Sequence, residues 1–208
     1  SSDDMGSLTL YGHGGGSATS AMDATAAGNV WDTFDGARGQ VTAVGHSNSA
    51  PGNNSLMYTM PTIMDGVAVN VSYQPQQSGN TIDSAIGYAV TYTGVEGLTL
   101  AYSSTDEVGT TSDLSGEQTA WKIAYVYGPV TATMTQSEFD VVTTTADQDV
   151  SSVAVSYTIS DEMSVTYGTE TIESTDSGHV DAEYTVLKGS YTSGGMTVSA
   201  QMKEAENV

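Results

Sequence analysis

Apolar and polar positions alternate along most of this chain in short runs that come in pairs, each pair closed by a tight turn and followed by a longer loop. Over Thr119 to Tyr127, the residues Trp121, Ile123, Tyr125 and Tyr127 share one face while Ala120, Lys122 and Ala124 share the other, because successive strand side chains point to opposite sides. Val130 to Ser137 follows across Gly128-Pro129. A wide apolar face set against a small, polar one, repeated hairpin after hairpin, predicts an all-β chain of the transmembrane antiparallel β-barrel class.

The same rhythm predicts further hairpins. Asn54 to Met60 and Val67 to Gln74 turn at Asp65-Gly66, a strong turn signal. Ile86, Tyr88, Val90 and Tyr92 pair with Leu98, Leu100 and Tyr102 across Gly94 to Gly97. Val153, Val155, Tyr157 and Ile159 pair with Met163, Val165 and Tyr167, and Leu187 and Tyr191 pair with Met196, Val198, Ala200 and Met202. With Gly6 to Gly12 the count is about eleven strands. From Val180 to Tyr191 the apolar parity switches, as a bulge would make it do. Tyr58, Tyr73, Tyr92, Tyr127, Tyr157 and Tyr191 stand near strand ends, where an interfacial girdle would place them.

Composition hides this pattern. Mean hydropathy is -0.19 and 38% of residues are hydrophobic, but in a barrel only every second strand residue meets lipid. No apolar run approaches the roughly 20 residues of a membrane helix. The 25 acidic residues outnumber 4 basic ones and leave a net charge of -21. That balance argues against a nucleic-acid partner, which needs clustered Lys and Arg, and carboxylates lining a pore would favour cations. Much of the acid falls in segments read as long loops, Asp106 to Glu117, Asp140 to Asp149 and Glu173 to Asp181. Long loops at one end and short turns at the other is the asymmetry of bacterial barrels, whose short turns face the periplasm. There is no cysteine, so neither disulfides nor thiolate metal sites contribute.

Residues 13–53 hardly alternate except around Gln40 to Gly45, and a segment that long needs a function or an inward fold. Trp31 and Phe34, large aromatics among small residues, favour folding inward. Parity places Lys122, Lys188 and Lys203, with Asn70 and Gln74, on the polar side of their strands. A Lys facing lipid would cost about 2–4 kcal/mol at mid-membrane, so these positions are read as pore-lining.

Gly6-Ser7-Leu8-Thr9-Leu10-Tyr11-Gly12, the long loop, Asn53-Asn54-Ser55-Leu56-Met57-Tyr58-Thr59-Met60-Pro61 and Gly66-Val67-Ala68-Val69-Asn70-Val71-Ser72-Tyr73 together resemble the middle of a bacterial general porin, of the marine alphaproteobacterial type. The resemblance implies a sixteen-stranded outer-membrane barrel, residues 1–208 forming one partial domain. Gly6 to Tyr11 would match the fifth strand and Met196 to Lys203 the fifteenth. The expectation is a fragment: the chain opens on Ser1-Ser2-Asp3-Asp4 and ends Glu206-Asn207-Val208, without the usual terminal aromatic. By resemblance residues 13–53 are the inward-folded constriction loop, with Asp23, Asp32 and Asp35 at the constriction and Arg38 their neighbour. It further implies a homotrimer in outer-membrane lipid that passes small hydrophilic solutes and ions, without cofactor, metal or catalytic residue.

Other signals are weaker. His13-Gly14-Gly15-Gly16 looks like an esterase oxyanion segment, but Gly45-His46-Ser47-Asn48-Ser49 lacks the last Gly of a nucleophile elbow. His13, His46 and His179 have no ligand spacing. Asp147-Gln148-Asp149 offers at most weak Ca²⁺ binding and matches no EF-hand. The sequence therefore predicts a passive, cation-preferring diffusion channel. The rival is a secreted or surface-layer adhesin or structural protein, in which the same alternation would bury one face in a dry core.

Overall fold

In the computed structural model, eleven strands among the described residues form one antiparallel sheet in which each strand pairs with its neighbours in sequence, β1 to β11 in order. The structure describes residues 5–22, 24–34, 54–75, 82–109, 115–142, 147–175 and 181–207. The strands are β1 (Ser7–Tyr11), β2 (Ser55–Thr59), β3 (Val67–Gln74), β4 (Ile82–Tyr92), β5 (Leu98–Gly109), β6 (Gly116–Tyr127), β7 (Val130–Val141), β8 (Gln148–Ser160), β9 (Met163–Ser174), β10 (Ala182–Ser193) and β11 (Met196–Glu206). Residues 20–22 and 30–34 form short 3₁₀ helices in the segment between β1 and β2, where no helix is legible in the sequence. The turns β2–β3, β4–β5, β6–β7, β8–β9 and β10–β11 lie at one end of the sheet and the other connections, the long β1–β2 segment among them, at the opposite end.

Turn chemistry sets the short-turn end. Gly66 and Gly97 adopt φ of 79° and 76°, a region in which a Cβ costs energy. A Cβ on Gly97 would also stand 2.5 Å from the Val126 carbonyl oxygen. The turns are tied to the strands beside them: Thr93 N–H donates to Gly66 O at 2.7 Å, Val126 N–H to Gly97 O at 2.8 Å and Thr192 N–H to Glu162 O at 2.8 Å.

The two faces of the sheet differ in chemistry. Tyr88, Val90, Tyr102, Ile123, Tyr125, Val153, Val155, Tyr157, Tyr167 and Leu187 are exposed on the outer face, while Ser72, Ser103, Thr105, Gln118, Thr135 and Ser152 are buried on the inner one. This inverts the order of a water-soluble protein, in which apolar groups go inside. With Ile123 at 43% and Tyr125 at 45% exposure and a single sheet present, no second sheet covers this row among the described residues. The dry core demanded by the adhesin reading is not formed there.

The acidic residues correct one expectation. Asp106, Glu117, Asp140, Asp149 and Glu173 belong to strands that run further than the alternation suggests, and they are exposed on the outer face. Register aligns them. Asp106 opposes Glu117 and Glu117 opposes Asp140 in one row, Glu138, Asp149 and Glu173 share the next, Glu183 and Glu206 share the third, and Glu204 lies in the fourth. From β5 to β11 the acid boundary thus drops six residues, about 20 Å, across six strand spacings of about 4.8 Å, a slope of about 35°. Transmembrane barrels tilt their strands by about 35–45°, so the boundary runs level with a membrane plane. Along β6, Glu117 and Tyr127 bracket about 27 Å of height at that tilt, matching an apolar band of about 25 Å.

The β10 parity switch has another cause than a bulge. β10 keeps continuous register with both β9 and β11; the shifts in the sheet fall at Ile82/Ser84 and Thr158/Ser160. Tyr184 and Val186 point inward because an apolar patch on the inner face receives the segment between β1 and β2.

Candidate functional site

The segment from Ser17 to Phe34 lies against the inner face, and the contacts follow from its composition. Small residues let its backbone approach the wall, so its N–H groups are met by wall hydroxyls. Ala18 N–H donates to Ser72 Oγ (3.0 Å), Ala26 N–H to Thr135 Oγ1 (2.9 Å) and Ala27 N–H to Ser152 Oγ (2.9 Å). At Gly168 a Cβ would sit 2.9 Å from Ala27 Cβ, so glycine is what admits this close approach.

Over β8 to β11 the contact becomes apolar. Val30 and Ile172 are fully buried and cluster with Val150, Ala182, Tyr184 and Val186, while Ala27, Trp31, Phe34 and Ala205 pack on the cluster. The Phe34 and Tyr184 rings have centroids 5.7 Å apart. Trp31 and Phe34 thus find the inward packing their size requires. Beside the cluster stands Glu170, buried to 0% exposure. Its Oε2 accepts from Thr25 Oγ1 at 2.5 Å and its Oε1 from Trp31 N–H at 3.2 Å. A carboxylate out of water is tolerable when donors surround it, and charge-assisted bonds of this kind are the strong ones. Sequence reading placed no role on Glu170; the only local hint was an acid at an inward-parity position.

The predicted site residues separate. Asp32 is exposed in the second 3₁₀ helix, beside Thr33, whose hydroxyl oxygen accepts from Lys203 Nζ. Asp23, Asp35 and Arg38 lie outside the described residues. Asn70, Lys122, Lys188 and Lys203 stand on the inner face by register, opposite Ala89, Thr135, Thr166 and Val186 respectively. Gln74 shares that face but is buried to 1% exposure. Asp147 and Asp149 border an acidic cleft with Glu138, Asp140, Glu173 and Asp181; among the described residues no three carboxylates or histidines converge as a metal site.

The single sheet is lipid-like outside and polar inside, and a segment of the chain is folded onto its inner face. The family described as Gram-negative porin matches residues 2–208. The chain belongs to that family. As a Gram-negative porin it resides in the bacterial outer membrane, and its described strands are part of a transmembrane β-barrel of porin type. A porin solved at 1.8 Å resolution superposes with a TM-score of 0.69 at 13% identity, over 98% of this chain and 73% of that one. OmpT of Vibrio cholerae lacking loop L8 gives 0.65 at 16% identity, over 98% and 71%. The trimer form of in-vitro folded OmpT from the same organism gives 0.57 at 13%, over 98% and 67%. No curated protein matches the sequence. β1 and β11 are the two edges of the sheet, and unpaired strand edges are not stable in hydrocarbon, which fits a porin whose solved relatives are longer than this chain.

Proposed function

We propose that this porin is a passive, water-filled, cation-preferring channel for small hydrophilic solutes, narrowed by the loop of residues 13–53. The supporting observation is the anchoring of Ser17 to Phe34 on the polar face by wall hydroxyls and Glu170, because a segment held there takes up cross-section that solutes would otherwise use. No chemical step is involved; the bore sieves and the charges bias.

The strand charges bear on where such a bias would arise. Carboxylates of β5 to β11 stand mostly on the outer face at the long-loop end, whereas Lys122, Lys188 and Lys203 face inward with the buried Glu107 and Glu170. Cation preference is therefore assigned to the mouth and to the loop, where Asp32 is exposed and Asp23 and Asp35 are its companions in sequence, rather than to the wall. Asn70, Lys122 and Lys188 line the lumen in this reading, and Lys203 supports the loop through Thr33. A homotrimer, with part of the outer apolar wall covered by neighbours, accords with the trimer form of OmpT.

The test is the zero-current potential of the purified porin in a planar bilayer under a KCl gradient. The sign expected is that of K⁺ selectivity, and Asp32→Asn should reduce its magnitude. A wild-type potential of the Cl⁻ sign would overturn the cation preference.

A further inference from the structure

In a chain with 4 basic residues against 25 acidic ones, an ammonium on the inner wall with no carboxylate near it calls for a physical account. Lys203 is engaged with Thr33. Lys188 is different: it is exposed on the inner face of β10 and lines a cavity of about 250 Å³ with Ser164, Thr166, Ser190, Thr197 and Ser199. All six side chains come from β9, β10 and β11 near the short-turn end. Among the described residues no acidic side chain lines the cavity. Asp161 and Glu162 sit in the adjoining β8–β9 turn, and Glu170 stands four residues along β9 from Thr166, about 13 Å away, with its oxygens already engaged by Thr25 and Trp31.

We propose that Lys188 and the hydroxyls around it form a binding subsite for small hydroxylated carboxylates at the short-turn mouth of the channel. The inference rests on the inner face being the lumen. One ammonium supplies a point charge with three donors, enough for a monoanion, whereas a phosphate dianion asks for several cations or a nest of backbone N–H groups. The hydroxyls can donate to a carboxylate and accept from a ligand hydroxyl in turn. Ser164 Oγ and Ser190 Oγ bond each other at 2.7 Å, while Thr166 Oγ1 bonds Ser156 Oγ at 2.7 Å and Thr197 Oγ1 bonds Thr192 Oγ1 at 2.8 Å, so each pair keeps unused lone pairs. Room for about eight waters, at about 30 Å³ each, accommodates a ligand of several carbon atoms. The subsite would slow hydroxy acids in transit within a channel whose mouth otherwise favours cations.

The probe is gluconate, added to the full porin conducting KCl in a planar bilayer, with acetate as the charged control lacking hydroxyls and glucose as the neutral control carrying them. Gluconate is expected to reduce the current at lower concentration than either control. Lys188→Gln should raise the half-blocking gluconate concentration about tenfold, the loss of one charge-assisted hydrogen bond; Lys188→Arg should retain the block. Should Lys188→Gln fail to insert, Ser199→Ala reads the hydroxyl half of the site by the same assay and should also weaken the block. Gluconate block unchanged in Lys188→Gln, or equalled by acetate, overturns the subsite while leaving the channel standing. A wild-type protein that passes no ions overturns the channel and the subsite together.

Discussion

The inner wall holds the same loop in two ways. Toward β3 the hold combines Ser72 Oγ, which accepts from Ala18 N–H, with the burial of Ser17, Ala18, Thr19 and Met22. Across β8 to β11 it is a fully buried apolar cluster reinforced by a buried carboxylate with two loop donors. The difference teaches where the loop is anchored. An apolar cluster and a charge-assisted pair each contribute more than an exchangeable neutral hydrogen bond, whose net value is about 1 kcal/mol because water competes for both partners. The larger apolar cluster and the carboxylate lead to the expectation that the β8–β11 side is the fixed end and that the β3 side lifts first.

Substitutions rank this contrast. Ile172→Ala empties the centre of the cluster and should cost about 2–5 kcal/mol, read as a lower thermal midpoint in detergent together with a changed single-channel conductance. Glu170→Gln keeps the shape but removes the charge that Thr25 and Trp31 address; a loss of about 1.5–3 kcal/mol is expected, with more frequent transitions between conductance levels in bilayer records. Ser72→Ala should cost about 0.5–1.5 kcal/mol and leave the main conductance level unchanged. If Ser72→Ala disturbs conductance as much as Glu170→Gln, the loop has no fixed end and the asymmetry is wrong.

Much of the sheet was legible beforehand because its code is local. Val67–Gln74 has the bounds the alternation predicts, and the Gly128-Pro129 turn falls between Tyr127 and Val130 as expected. Strand ends were less legible. Asp106 and Glu117 look like loop residues by composition, yet cross-strand pairing carries β5 and β6 through them. The β10 parity change misled for a related reason: inward-facing Tyr184 and Val186 look like a slipped register until the cluster that covers them is seen.

The sequence alone determined which side of each ribbon is apolar, where the short turns fall and on which side Lys122, Lys188 and Lys203 stand, since a period of two and a turn residue act within a few positions. Only the tertiary structure decided that the strand carboxylates ring the outside along a tilted boundary, that Lys188 sits among hydroxyls, and that Glu170 holds the loop. Those facts depend on register summed over many strands and on contacts such as Thr25 to Glu170, 145 residues apart in the chain, for which no local pattern of hydrophobicity carries a signal.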